Sequence, residues 1–303
     1  LTDFPALEAA AAAWIAALRD EGISGRVLSR LSNGLRAELL DGSASCRVNL
    51  HSSDARGFSV VYAGGSRELA AAASGIGRLS GAGRPLPSRP WIGSDEAGKG
   101  DYFGPLVVSA VCLDRVAARR LSGMGVVDSK RLEDSDMVEL APSIMEISAA
   151  YSVVALGPRE YNSAFDRARA SGRNSLDMLA VMHARAITDV AERCPDPEVV
   201  VVDKFGPEKR IGPLLPKGLP LDLRVRGESD PAVAAASILA RCEYMRQLRA
   251  LSDTIGVALP AGSSSGADDT GRRAVAIHGS AILLEIAKYH FCNTKKILPI
   301  FTT

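Results

Sequence analysis

Hydrophobic and polar positions follow two regimes along the chain. Over residues 5–20, "PALEAAAAAWIAALRD", apolar residues recur at helical spacing and predict an amphipathic helix. Four strand-length stretches follow, around 26–31, 35–40, 45–51 and 58–63, and then a short helix near 67–73. That order predicts a small α+β unit in which one helix covers an antiparallel sheet.

Beyond residue 90 apolar β-branched runs mostly alternate with helical stretches. "RPWIGSD", "GPLVVSAVCLD" and "AYSVVALG" (150–157) read as strands, and the valine run "EVVVVD" (198–203) reads as a strand buried on both faces. "LDLRVRGE" (221–228) alternates as a half-exposed strand does. Helices are predicted near 135–148, 159–168, 175–193, 231–250 and 274–289. Asn174 or Ser175 caps the third of these and Pro195 follows it, while Asp230 and Pro231 form the cap and first-turn pair of the fourth. "SGIGRLSGAGRPLPSRP" (74–90) has little to bury and divides the chain into an N-terminal domain (1–75), a linker (76–90) and a larger domain (91–303). "PAGSSSGADDTG" (260–271) reads as a mobile polar loop.

Composition narrows this little. The chain has 303 residues, is 47% hydrophobic and carries a formal net charge of +1, so any basic binding surface must be local. No apolar run reaches the ~20 residues of a membrane span, and the acid-containing start reads as a helix rather than a leader. Five cysteines without a C-x-x-C pair suggest reduced thiols in a cytoplasmic protein rather than a disulfide framework or zinc site.

The candidate chemistry starts at "IGSDEAGKGDYFGP" (92–105), where Asp95 and Glu96 stand beside three glycines and Lys99. A phosphate cradle fails on detail. Gly93 to Lys99 spells G-x-x-x-x-G-K, but Gly100 stands where a P-loop needs Ser or Thr, and the acids lie where phosphates would. A surface turn and a divalent-metal site remain. Asp203 ends the valine run, at the strand end where α/β proteins place sites. Glu228 ends the next strand stretch, just before the capped helix. If all four carboxylates converge they need a cation, since two charges ~5 Å apart repel by roughly 3 kcal/mol at an effective dielectric of 20. All-oxygen ligands favour Mg²⁺ or Mn²⁺, and two such ions suit attack of water on a phosphodiester.

"GSDEAGKGDYFGPLVVSAV", "VVDKFG", "GESDPAVAAASILAR" and "AKYHFCNTKK" resemble, in this order, the type 2 ribonucleases H, over nearly all of 91–298. The resemblance is nearer to the HIII than to the HII branch: Glu228 stands where HII typically has Asp, "DYFGP" follows the glycine triplet, and a separate N-terminal domain is present. It implies a ribonuclease H-like mixed sheet flanked by helices, with an N-terminal substrate-binding α+β domain resembling the TATA-box-binding protein. It implies hydrolysis of the RNA strand of RNA–DNA hybrids with Mg²⁺ or Mn²⁺, leaving 5′-phosphate and 3′-hydroxyl ends, by a monomeric cytoplasmic enzyme. By position the metal-binding and catalytic acids are Asp95, Glu96, Asp203 and Glu228. Gly98, Lys99 and Gly100 become the backbone triplet that senses ribose 2′-hydroxyls, and Lys130 a phosphate contact. HII-like cleavage at single ribonucleotides and a non-catalytic hybrid-binding protein are the alternatives. Residues 246–273 contain no tyrosine to read an RNA–DNA junction, and Tyr244, upstream in the helix, reads as packing or exposed. His183 falls on the apolar stripe of its helix and reads as a core histidine; Trp14 and Trp91 read as core.

Overall fold

The computed structural model describes residues 3–19, 22–53, 57–67, 69–70, 73, 86–126, 132–194, 196–225 and 227–298. Helix α1 (Phe4–Arg19) lies on an antiparallel sheet of β1 (Ser24–Leu31), β2 (Gly34–Asp41), β3 (Ala44–Ser53) and β4 (Gly57–Gly65), paired in chain order. Alternation along β2 and β3 turns Leu35, Ala37, Leu39, Val48 and Leu50 toward Leu7, Trp14 and Leu18 of α1. Trp14 Nε1 donates to Ala73 O (3.0 Å), which ties the segment after β4 to the same core.

The second sheet has the order β7-β6-β5-β8-β9. Strands β5 (Trp91–Ala97), β6 (Leu106–Leu113) and β7 (Ala150–Leu156) pair antiparallel, while β8 (Val200–Asp203) and β9 (Leu221–Arg224) extend it in parallel from β5. Helices α2 (Arg115–Gly123), α3 (Asp134–Ile147), α4 (Pro158–Ala170), α5 (Ser175–Ala191), α6 (Pro231–Ile255), α7 (Ser265–His278), α8 (Ile282–Ile286) and α9 (Cys292–Ile297) complete this mixed α/β layer. One face of the sheet, with Ile92, Val108, Val200 and Val202, packs on Leu179, Met182 and Ile187 of α5. The other, with Trp91, Val111 and Val201, packs on Ala232–Ile238 of α6.

Two residues make that second face close. A Cβ at Gly93 would fall 2.1 Å from the carbonyl carbon of Ala232, so only glycine lets α6 approach β5 this tightly. Asp230 caps α6: its Oδ1 accepts from Ala232 N–H (2.9 Å), and from the Trp91 indole (3.0 Å), locking helix start to strand start. Trp91 is therefore both core and a hydrogen-bond donor.

Four expectations are corrected. The segment 260–271 is not a loop throughout, because α7 begins at Ser265; the helix expected over 274–289 instead divides at Gly279, whose φ of 81° suits a residue without a Cβ. The strand read over 221–228 stops at Arg224, and Glu228 lies in a 3-10 turn, Gly227–Ser229. Cys112 of β6 and Cys194 just after α5 form a disulfide across 82 residues, against the expectation of reduced thiols. Packing of α5 on β6 brings their Cα atoms to 6.2 Å, a proximity that spacing in sequence does not reveal. Cys46, Cys242 and Cys292 are free. Lys130, Pro195 and linker residues 76–85 lie outside the described residues. Residues after them are held: Arg115 donates to Leu86 O and Pro87 O, both at 2.9 Å.

Candidate active site

The parallel pairing of β5 with β8 places Ser94 opposite Val202, so Asp95 and Asp203 emerge side by side at adjoining strand ends. Both follow the alternation that faces α6, and Ser237 of that helix hydrogen-bonds Asp95. Burial, together with the charges of Glu96 and Asp203, pushes the Asp95 carboxyl from its ordinary 3.8 to about 7. Asp203 is aimed by the next turn: its Oδ1 accepts from Gly227 N–H at 2.7 Å. A Cβ at Gly227 would sit 2.9 Å from Asp203 Cα, so the residue before Glu228 is glycine for a steric reason.

Glu96 points the other way, toward α5. Its Oε2 lies 3.2 Å from His183 Nε2 and its Oε1 3.1 Å from Lys99 Nζ. Burial works to raise this carboxyl, but the hydrogen bonds and charges of His183 and Lys99 outweigh it and hold it below the usual range. His183 is 0% exposed, and its Nδ1 is 2.8 Å from Ser94 Oγ. Ser94 in turn donates to Ser109 O (2.7 Å), which leaves its oxygen to accept from Nδ1–H. The ring also stacks on Phe205 at 4.7 Å. His183 is thus core, as its stripe position predicts, and also a partner of Glu96. Its placement after the cap Asn174, on the inward face of α5, was the only trace of this in sequence.

The glycine triplet sits on a firm base. Gly98 has φ of 85°, and a Cβ there would fall 2.2 Å from Pro105 O and 2.9 Å from the Tyr244 ring. Tyr244 is buried and donates to Phe103 O (3.3 Å), so its role is packing beneath the triplet. Gly100 differs: a Cβ there would meet nothing within 4 Å. The fold does not need a glycine at 100, and a side chain there would occupy only open space. Behind the loop, Lys288 is 0% exposed and its Nζ donates to Asp101 O and Gly104 O, both at 3.0 Å. Its own N–H donates to Tyr102 O (2.8 Å). Nothing in the pattern around Lys288 marked a buried ammonium.

Among the described residues no group of three or more Asp, Glu, His or Cys side chains is arranged to hold a metal ion. Asp95, Glu96 and Asp203 nonetheless act on one another's charge, and Lys99 supplies an ammonium bonded to Glu96. The donor chemistry fits a hard divalent ion: the carboxylates are oxygen ligands, and the raised Asp95 carboxyl is the penalty that a bound cation relieves.

The ribonuclease HII family model matches residues 92–294. The chain is 38% identical over 222 residues to ribonuclease HIII of Geobacillus kaustophilus, covering 69% of this chain and 68% of that protein. It is similar to the crystal structure of Bst-RNase HIII in complex with Mn²⁺, with a TM-score of 0.65 and 28% identity over 93% of this chain and 94% of that one. Ribonuclease H2 of Pyrococcus horikoshii shares the fold at a TM-score of 0.58 and 24% identity, covering 69% of this chain and 96% of that one.

Proposed function

Because the chain belongs to the ribonuclease HII family, a family of metal-dependent ribonucleases, we propose that it hydrolyses the RNA strand of RNA–DNA hybrids with the acids at the β5 and β8 strand ends. One observation carries this most directly. Two carboxylates stand side by side on adjoining strands, one of them raised by burial and by its neighbours' charge, beside a glycine at 100 whose bareness the fold itself does not require.

Asp95, Glu96, Asp203 and Glu228 are the residues to hold Mg²⁺ or Mn²⁺, the latter being the ion in the Bst-RNase HIII crystal structure. When bound, such ions activate water and offset charge on the phosphorus and leaving oxygen. The chain's own part is positioning. Ser237 and Gly227 N–H aim Asp95 and Asp203, while His183 fixes Glu96. Backbone groups at Gly98–Gly100 reach ribose 2′-hydroxyls, the groups that separate RNA from DNA. Lys99, which bonds Glu96 from an exposed position, turns to a phosphate when substrate enters. Lys130 is a second phosphate contact. Residues 1–75 form the substrate-binding unit, 76–90 the connection and 91–303 the catalytic unit, in a monomeric cytoplasmic enzyme. No helix among the described residues is long and apolar enough to cross a membrane.

The HIII-like substrate choice follows from Tyr244. Its ring is covered by the triplet loop, and no tyrosine occurs in 246–273 to stack on a junction deoxyribose. The test compares a hybrid bearing a ribonucleotide run with a duplex bearing one embedded ribonucleotide, each with Mg²⁺, Mn²⁺ or chelator. Cleavage of the run alone, abolished by chelator, is expected. Equal kcat/KM on both favours HII-like cleavage, and binding without cleavage in either metal overturns the enzyme reading.

A further inference from the structure

A cavity of about 350 Å³ opens between α4, α5 and β7, on the side of α5 turned away from Glu96. Val154, Leu156, Met178 and Met182 form its floor, and Val181, 51% exposed, stands at its lip. Three guanidinium groups surround it: Arg167 from α4, Arg173 from the turn between the helices, and Arg185 from α5. The spacing Met178, Val181, Met182, Arg185 is one outward stripe of α5, so the helix itself presents the apolar floor and the charge together.

Among the described residues these three guanidiniums are not held in ion pairs within 4 Å, as several others in this protein are. Arg26, Arg89, Arg210, Arg224, Arg241 and Arg246 each hold a carboxylate. Among the described residues, the Arg167 side chain bonds the hydroxyl of Ser163 (2.6 Å), and none of Arg167, Arg173 and Arg185 has a salt bridge within 4 Å. The one acid at the cavity, Asp177, is taken by Arg210 and favoured by the nearby charge of Arg173. Three guanidiniums without a salt bridge around an apolar hollow, one of them partly offset by Asp177, define a ligand that is apolar in the middle and anionic at its edges.

We propose that this cavity is a docking site for an acidic peptide segment of a partner protein, with one large apolar side chain seated between Met178 and Met182 and carboxylates on Arg167, Arg173 and Arg185. The volume lies at the lower end of the usual ~300–1,000 Å³ of ligand pockets, enough for a single anchoring side chain. Methionines adapt to the shape of such an anchor. A nucleic-acid strand fits less well. Its phosphates would use the arginines but leave the apolar floor unfilled, and β7 is the edge strand, two strands from β5. The inference does not depend on the catalytic reading.

The probe is a fluorescein-labelled seven-residue peptide with a central phenylalanine flanked by three aspartates on each side, titrated into the full chain and followed by anisotropy. Micromolar binding is expected, weakened at least about tenfold by Arg185→Glu or Val181→Asp and by raised salt. Replacing the phenylalanine by serine in the probe weakens it comparably. Both protein changes are on the surface, and hybrid cleavage by these variants keeps the parent kcat/KM. Three results overturn the proposal: no binding at millimolar peptide; equal affinity for the serine probe, which reduces the site to unspecific charge attraction; or a raised KM for hybrid in Arg185→Glu, which assigns the arginines to the nucleic-acid path.

Discussion

His183 Nε2 lies 3.2 Å from Glu96 Oε2, so a fully buried ring on α5 holds one of the candidate metal ligands from behind. The contact runs on through Ser94 to the backbone of β6. Such outer partners orient ligands, and their loss typically costs ~10–100-fold in activity.

His183→Phe keeps the ring's volume and its stacking on Phe205 while deleting both hydrogen bonds. We expect kcat on hybrid to fall about 10–100-fold with KM little changed, and His183→Gln to recover part of the loss. Steady-state kinetics at saturating metal, with circular dichroism as the fold control, checks this. Unchanged kcat in His183→Phe would return the residue to pure packing.

If Asp95 is a metal ligand, it links metal binding to pH. Its folded pKa of about 7 is above the ordinary 3.8, so its contribution to stability is fully present below 3.8 and is lost as pH rises through about 7. Without metal, Asp95→Asn should therefore melt higher than the parent at pH 8, while its cleavage collapses. A metal held by Asp95 would have to displace its proton, so affinity measured by calorimetry should fall by about tenfold per pH unit below about 7. A parent affinity flat from about pH 5.5 to about pH 8 would show that Asp95 is not the titrating ligand.

Lys288 is held inside the protein by two backbone carbonyls, and burial depresses its ammonium from the ordinary 10.5 to about 7, against the pull of Asp101. A depressed folded pKa gives stability that is complete above 10.5 and is lost as pH falls through about 7. Lys288→Met strands the carbonyls of Asp101 and Gly104, at a cost of roughly 1–3 kcal/mol each. Urea unfolding should show the gap between parent and variant widening from pH 6 toward pH 9, on the order of the folded-state shift. A gap that stays constant over that range would mean the ammonium keeps its charge inside.

The N-terminal unit builds its own core from α1 and its sheet, with Trp14 anchored to Ala73. Removing residues 1–75 should leave the acids, the triplet and their supports in place, since all lie beyond residue 90. If the unit binds substrate, KM for hybrid rises by about tenfold or more while kcat changes less, because uniform binding energy is what is lost. An unchanged KM would assign these residues another task.

The sequence by itself determined most of the elements and the carboxylates that stand at the strand ends. Period-two alternation in β2 and β3, the valine run of β8, and the cap pair Asp230–Pro231 are local patterns, and local periodicity reports which face of an element is buried. The adjacent acids followed by bare backbone were legible for the same reason, since they occupy neighbouring positions in one strand and loop. Only the tertiary structure decided what lies across space. It set His183 of α5 behind Glu96 of β5, 87 residues away, and Lys288 beneath a loop 184 residues earlier. It joined Cys112 to Cys194 and let Ser265 start a helix where composition suggested a loop. These depend on how one element packs against another. A histidine on an apolar stripe has the same local pattern whether its second nitrogen meets a carbonyl or a carboxylate, and a lysine is buried only where distant carbonyls converge to receive it.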